Sequence, residues 1–87
     1  MYMETRLKTF LSLCETLNYR KTAECVNLTQ PAVTKQIQSL QEEYGVKLFE
    51  YVGRALSITE QGLLVKQFAQ SQFYNEAELL QLLGRAE

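Results

Sequence analysis

The 87 residues include no histidine, no aspartate and no tryptophan, only one proline and only two cysteines. Without histidine the chain lacks the commonest general base and the commonest metal ligand. Cys14 and Cys25 stand apart, with no Cys-x-x-Cys pair and no imidazole to complete a zinc set. Two cysteines make no disulfide framework, so both are expected to be reduced and packed as small hydrophobes in a cytoplasmic protein. Every acidic side chain is a glutamate, and no glycine-rich phosphate loop or nucleophile elbow occurs. Neither an enzyme nor a cofactor in this chain is expected. The longest stretch without a charge, Cys25–Thr34, is ten residues, too short to cross a bilayer. Glu4, Arg6 and Lys8 interrupt the first apolar residues, so no secretory leader is expected. An excess of positive charge is missing too: nine Lys and Arg face ten Glu, for a net charge of −1. Any nucleic-acid contact must therefore come from a local patch.

What is present is helical periodicity. Leu7, Phe10, Leu11, Cys14 and Leu17 fall on one face of a helix over about 5–17. Asn18 and Tyr19 end it, and a short second helix over about 20–26 turns Ala23 and Val26 inward. After the tight connection Asn27-Leu28-Thr29, a third helix has Thr29 as N-cap and Pro31 at or beside its first position, where a missing N–H costs nothing. Val33, Ile37, Leu40 and Tyr44 make its buried stripe, and Gly45 stops it. Alternation of Phe49 and Tyr51, and of Leu56 and Ile58, around Gly53-Arg54 predicts a small hairpin, or wing. Thr59 caps a last helix, with Glu60 in its first turn, that could run to Leu83 and end at Gly84.

The expected fold is mainly α. A three-helix core carries a short β-hairpin wing, the winged form of a helix-turn-helix, and a long dimerisation helix follows. Residues 1–58 would form the winged domain and 59–87 the linker helix. Ala69, Phe73, Ala77, Leu80 and Gly84 form a far-end stripe that nothing else in the chain is expected to cover. A second copy of the same helix over 59–84 is the simplest partner, a frayed or monomeric tail the alternative.

The third helix also has an informative outer face. Counting about 100° per residue from Val33, the buried stripe stays within about 40° of zero, while Thr34, Gln38, Pro31 and Lys35 lie at about 100–200°. This outward surface carries a cation, amides, a hydroxyl and apolar edges, and no carboxylate until Glu42 and Glu43. A helix entering the major groove needs that pattern, because an acid there would meet phosphates. Lys35 can donate to guanine or phosphate, Gln38 can match an adenine edge, and Pro31 and Ala32 offer apolar contact to a thymine methyl. Gln30 and Thr34 can reach base edges or backbone oxygens, and the helix start around Thr29 can hold a phosphate. Arg20 and Lys21 could flank the groove at a phosphate or simply be solvated. Arg54, beside Gly53, fits a minor-groove contact or an ordinary turn.

Taken in order, Ala23-Glu24, Leu28 to Ile37, Leu40 to Glu50, Gly53-Arg54, Leu56 and Thr59-Glu60-Gln61-Gly62 resemble the N-terminal domain of a LysR-type transcriptional regulator. The resemblance runs from about Leu7 to Gly62 without gaps, and the last helix is similar to the family's linker helix. It implies a bacterial regulator that reads promoter DNA as a dimer of antiparallel linker helices, commonly a tetramer when full length. It also implies a small-molecule effector bound by a larger domain that this chain lacks. Carried over, Gln30, Pro31, Ala32, Thr34, Lys35 and Gln38 match the reading helix over about 30–43. Thr29 matches the cap and phosphate position, and Arg54 the basic residue of the wing over about 51–56. The chain departs from the family's pattern where Thr22 replaces the usual Ala, Lys35 a frequent Arg, and Tyr51 and Ala55 common basic residues. A shallow salt dependence of DNA binding is the expected consequence. The competing reading is a winged-helix module that docks a protein partner and leaves the third helix idle.

Overall fold

The computed structural model describes the backbone of residues 2–84 and the side chains of residues 5–84. Four helices and one hairpin follow in order: α1 (Tyr2–Thr16), α2 (Tyr19–Val26), α3 (Gln30–Tyr44), β1 (Phe49–Val52), β2 (Ala55–Ile58) and α4 (Glu60–Leu82). Residues 85–87, included in the expected linker segment, lie outside the described residues.

The core joins the first three helices to the base of the hairpin. Phe10, Leu13, Val33, Ile37, Leu40 and Leu48 are essentially fully buried. Phe10 meets Phe49 with ring centroids 5.5 Å apart and a tilt of 59°, which ties α1 to β1. Leu7 and Phe10 sit on the expected face of α1, but Leu17 is exposed and Leu13 takes the buried place instead. The helix stops at Thr16, and Leu17 adopts a left-handed φ of 50°, which swings its side chain outward. A branched side chain in this conformation costs about 1–2 kcal/mol relative to a helical one. We therefore expect Leu17→Gly to raise stability by about 1 kcal/mol in chemical denaturation. An unchanged or lower stability would mean that the half-exposed side chain contributes more packing than its backbone loses.

The turn from α1 to α2 is held by hydroxyls. Thr16 Oγ1 accepts from the Asn18 N–H at 3.1 Å and shares a 2.7 Å bond with Thr22 Oγ1. Thr22, in place of an alanine, is thus fully buried with its polar atom bonded. Asn18 Oδ1 accepts from the Lys21 N–H at 2.9 Å and caps α2. Asn27, at φ 58°, closes α2 and leads directly to Thr29.

At the start of α3, Thr29 Oγ1 accepts from the Ala32 N–H at 3.2 Å, and Pro31 occupies the second helical position. Gly45 ends the helix at φ 68°. The wing is antiparallel, pairing Phe49 with Ile58 and Val52 with Ala55. Its two-residue tip is Gly53-Arg54, with Gly53 at φ 64°, the conformation a tight hairpin asks of its first turn residue.

Several side chains fasten the wing and α4 to the core. Gln41 Oε1 accepts from the backbone N–H of Leu48 at 2.8 Å and of Phe49 at 3.4 Å. Thr59 donates its hydroxyl to the Lys47 carbonyl at 2.6 Å, while the same oxygen accepts from the Gly62 N–H at 2.9 Å. A Cβ on Gly62 would overlap the Leu48 carbonyl and come within 2.6 Å of Ile58 Cγ1. The glycine is there for close approach, not for an unusual φ.

Helix α4 runs antiparallel to α1. Lys66 lies within electrostatic reach of Cys14, and Lys8 Nζ stands 5.8 Å from the centre of the Phe73 ring. This corrects the expected uncovered stripe. Ala69 is fully buried and Phe73 half-buried, both packed against the core, so α1 covers them. Ala77 and Leu80 remain exposed. The uncovered apolar surface lies on the opposite side of α4, where Leu64, Phe68, Leu79 and Leu82 project within about 60° of one another at 100° per residue. Among the described residues no helix is long and apolar enough to cross a membrane. The cysteines are free, as expected, but only Cys14 packs. Burial pushes its thiol up to about 11, whereas Cys25 is exposed rather than packed as expected.

Candidate nucleic-acid interface

The outer face of α3 forms because its inner stripe is occupied. With Val33, Ile37 and Leu40 buried, the residues between them point away from the core. Gln30, Pro31, Thr34, Lys35 and Gln38 line one shallow open depression on the first three turns. Gln30, Pro31, Lys35 and Gln38 are exposed, and Thr34 is half-exposed. Ala32 is half-buried and stands outside this depression, with its N–H engaged by the Thr29 cap. The first turn of α3 has no acidic residue.

The surrounding cations are placed by separate elements. Arg20 and Lys21 are exposed on the first turn of α2, and Arg54 is exposed at the wing tip. Among the described residues, none of Arg20, Lys21, Lys35 and Arg54 forms an ion pair within the chain. Their charges are available to an external anion. By contrast, Arg6 is spent internally. The residue is 4% exposed, and its guanidinium donates to Ser39 Oγ and to Glu43 Oε1, each at 2.7 Å. The ion pair also gives one of the two late carboxylates of α3 a cation within the chain, though Glu43 stays exposed. Thr29 is exposed, and its oxygen is already an acceptor in the cap, so its O–H remains to serve a phosphate.

Three contributors escaped the sequence reading. Arg6 reads as a surface charge until α3 is laid beside α1. Gln41 lies within a polar stretch, and only the fold brings the Leu48 and Phe49 N–H groups to it. Gly62 did carry a local signal, because a glycine in the first turn of a capped helix marks close backbone approach.

A family model described as "Bacterial regulatory helix-turn-helix protein, lysR family" matches residues 5–63. The chain belongs to this family. It is 45% identical over 65 residues to the uncharacterized HTH-type transcriptional regulator YwqM of Bacillus subtilis, covering 75% of this chain and 22% of that protein. It is 45% identical over 56 residues to the HTH-type transcriptional regulator CitR of the same organism, covering 64% and 19%. The chain thus spans about a fifth of the length of these curated relatives. They are transcriptional regulators, and the LysR-family domain is a helix-turn-helix rather than an enzyme fold. Among solved structures, a LysR-family transcriptional regulator from Eggerthella lenta is 43% identical, with a TM-score of 0.72 over 75% of this chain and 93% of that one. The BenM DBD/benA site 1 DNA complex is 28% identical, with a TM-score of 0.85 over 94% and 95%. The winged helix followed by a long helix is therefore the fold of LysR-family DNA-binding domains.

Proposed function

We propose that this chain is the DNA-reading head of a bacterial LysR-type transcriptional regulator, binding double-stranded promoter DNA in a sequence-specific manner. The observation that carries this reading is the exposed face over the first turns of α3, with no acid and with Lys35 at its middle, flanked by cations on α2 and the wing that, like Lys35, form no ion pair among the described residues. Gln30, Pro31, Ala32, Thr34, Lys35 and Gln38 read base edges in the major groove. Arg20, Lys21 and Thr29 hold phosphates beside it, and Arg54 enters the minor groove. The similar fold of the BenM DBD in its benA site 1 DNA complex supports the reading. Residues 1–58 form the reading domain and 59–87 the linker helix. In the full-length cytoplasmic protein a further domain would bind the small-molecule effector.

Selection of bound duplexes from a random pool tests this. Enrichment of a two-fold symmetric interrupted motif supports it, and no enrichment at any salt concentration overturns it.

The two-fold symmetry comes from α4. We propose a homodimer through 59–84, able to pair again into a tetramer when full length. Leu64, Phe68, Leu79 and Leu82 are exposed on one side of α4, with Ser71 and Asn75 between the two apolar pairs. An antiparallel partner matches Leu64 with Leu82 and Phe68 with Leu79, and leaves the polar pair at the centre. Ala77 and Leu80 lie on the opposite side of α4 from that contact, in line with Ala69 and Phe73. Phe73 is a poor probe of the contact, because its ring already packs against the core and Lys8. Phe68→Glu is the better one, since half of that side chain is exposed. We expect it to shift sedimentation from dimer to monomer without lowering the melting temperature of the head. A wild-type chain that sediments as a monomer at high concentration would rule out the contact.

A further inference from the structure

One cavity lies apart from the reading face, between α1 and the end of α2. Its volume is about 310 Å³, and Thr5, Lys8, Thr9, Cys25, Val26 and Leu28 line it. None of these residues lines the depression on α3. Thr5, Lys8 and Thr9 stand on one side of α1, at i, i+3 and i+4. Thr5, Lys8 and Cys25 are exposed and form the mouth, while Val26 and Leu28 pack on the core and give an apolar wall. Thr9 belongs to the floor: it is 1% exposed, and its Oγ1 has no hydrogen-bond partner among the described residues. A hydroxyl taken out of water without an acceptor is costly, and an acceptor entering the cavity would satisfy it. No carboxylate lines the cavity, and Cys25 is a free thiol.

The volume stands at the lower end for small-molecule sites and suits a single-ring compound. A carbonyl oxygen matches Thr9, because it accepts and never donates. A carbon open to attack by a thiolate matches Cys25. One ligand class has both, an apolar α,β-unsaturated carbonyl compound. We infer that the cavity is a binding and modification site for such an enone, with Cys25 as nucleophile and Thr9 as donor to the carbonyl. The Cys25 thiol first loses its proton to water. Its sulfur then forms a bond to the β carbon, and the π electrons of the C=C bond shift toward the oxygen. Thr9 donates to the enolate oxygen as its charge grows and keeps its own proton. The α carbon then takes a proton back from water and the carbonyl is restored. The product is a thioether, and no oxidant or reductant enters. This inference stands apart from DNA reading, and its readouts need no duplex.

The test uses the full chain with benzylideneacetone as the enone and benzylacetone, its saturated counterpart, as a ligand that cannot react. Benzylideneacetone should alkylate Cys25 rather than Cys14, as read by peptide mass mapping. Burial pushes the Cys14 thiol up to about 11 and leaves it little thiolate. Benzylacetone should slow the reaction by occupying the cavity. Thr9→Val keeps the shape and removes the hydroxyl. It should slow the reaction about tenfold, the size of one hydrogen bond to a developing charge. Thr9→Ser should restore the wild-type rate. Benzyl bromide, with the same ring and no oxygen, should alkylate Cys25 equally fast in wild type and Thr9→Val. A valine variant as fast as wild type with the enone, or slower with benzyl bromide as well, overturns the inference. An adduct on Cys14 instead of Cys25 overturns it too. So does a benzylacetone that fails to protect Cys25, which would leave the cavity to water. Thr9→Val should melt no lower than wild type, since a methyl group replaces an unpartnered hydroxyl. If it melts lower, the serine variant decides: a wild-type rate supports the site and a slow one overturns it.

Discussion

A chain carrying both Lys35→Ala and Arg54→Ala is expected to melt with the native protein and to bind its selected duplex about 100-fold more weakly. Both side chains are exposed and neither forms an ion pair among the described residues. Truncations at such positions ordinarily change stability by no more than about 0.5 kcal/mol. Their proposed contacts lie in different grooves, so the two losses should add. A base-edge or minor-groove contact is worth about 1–3 kcal/mol, or about tenfold each at the lower end. Fluorescence anisotropy at one fixed salt concentration, with thermal melting alongside, reads both quantities. Unchanged affinity with native melting would return the fold to its other reading, a winged module that docks a protein and leaves α3 idle.

The second large effect concerns folding. Arg6→Ala is expected to cost about 3 kcal/mol, the size of truncating a large buried side chain to alanine. For a domain of this size that lowers the melting temperature by roughly 12–24 °C. The guanidinium is nearly inaccessible and bridges α1 to the Ser39 hydroxyl and Glu43 carboxylate of α3. Arg6→Met should cost less than about 1 kcal/mol, because it refills the volume and Glu43 is 45% exposed and can hydrate. If methionine proves as harmful as alanine, the ionic contact rather than the burial holds α1 to α3. DNA affinity should follow the folded fraction in both variants, since Arg6 is turned away from the reading face.

Much of this fold was legible because local and global signals agree. The start of α3 was readable from Thr29 and Pro31, its end from Gly45, and the wing tip from Gly53-Arg54. In each case one residue type satisfies a backbone requirement that few others can. The reading surface was legible for a related reason: the apolar stripe of α3 fixes which side chains face outward. Three features failed to show for different reasons. Leu17 continues the helical period by spacing, but the chain must turn there, and the left-handed backbone overrides the pattern. Ala69 and Phe73 looked uncovered because periodicity does not reveal that α1 lies antiparallel along α4. Arg6 reads as a solvated charge because its acceptors are 33 and 37 residues away in the sequence.

The Thr59 cap and the glycine beside it have a mechanical consequence. The first turn of α4 is bonded to the Lys47 carbonyl through a hydroxyl, to Leu48 through the Thr59 N–H, and seated too closely for any side chain at residue 62. Hairpin and rod thus form one lever without a hinge. A torque applied to α4 near Leu82 is therefore carried to the hairpin that bears Arg54 rather than absorbed at Thr59.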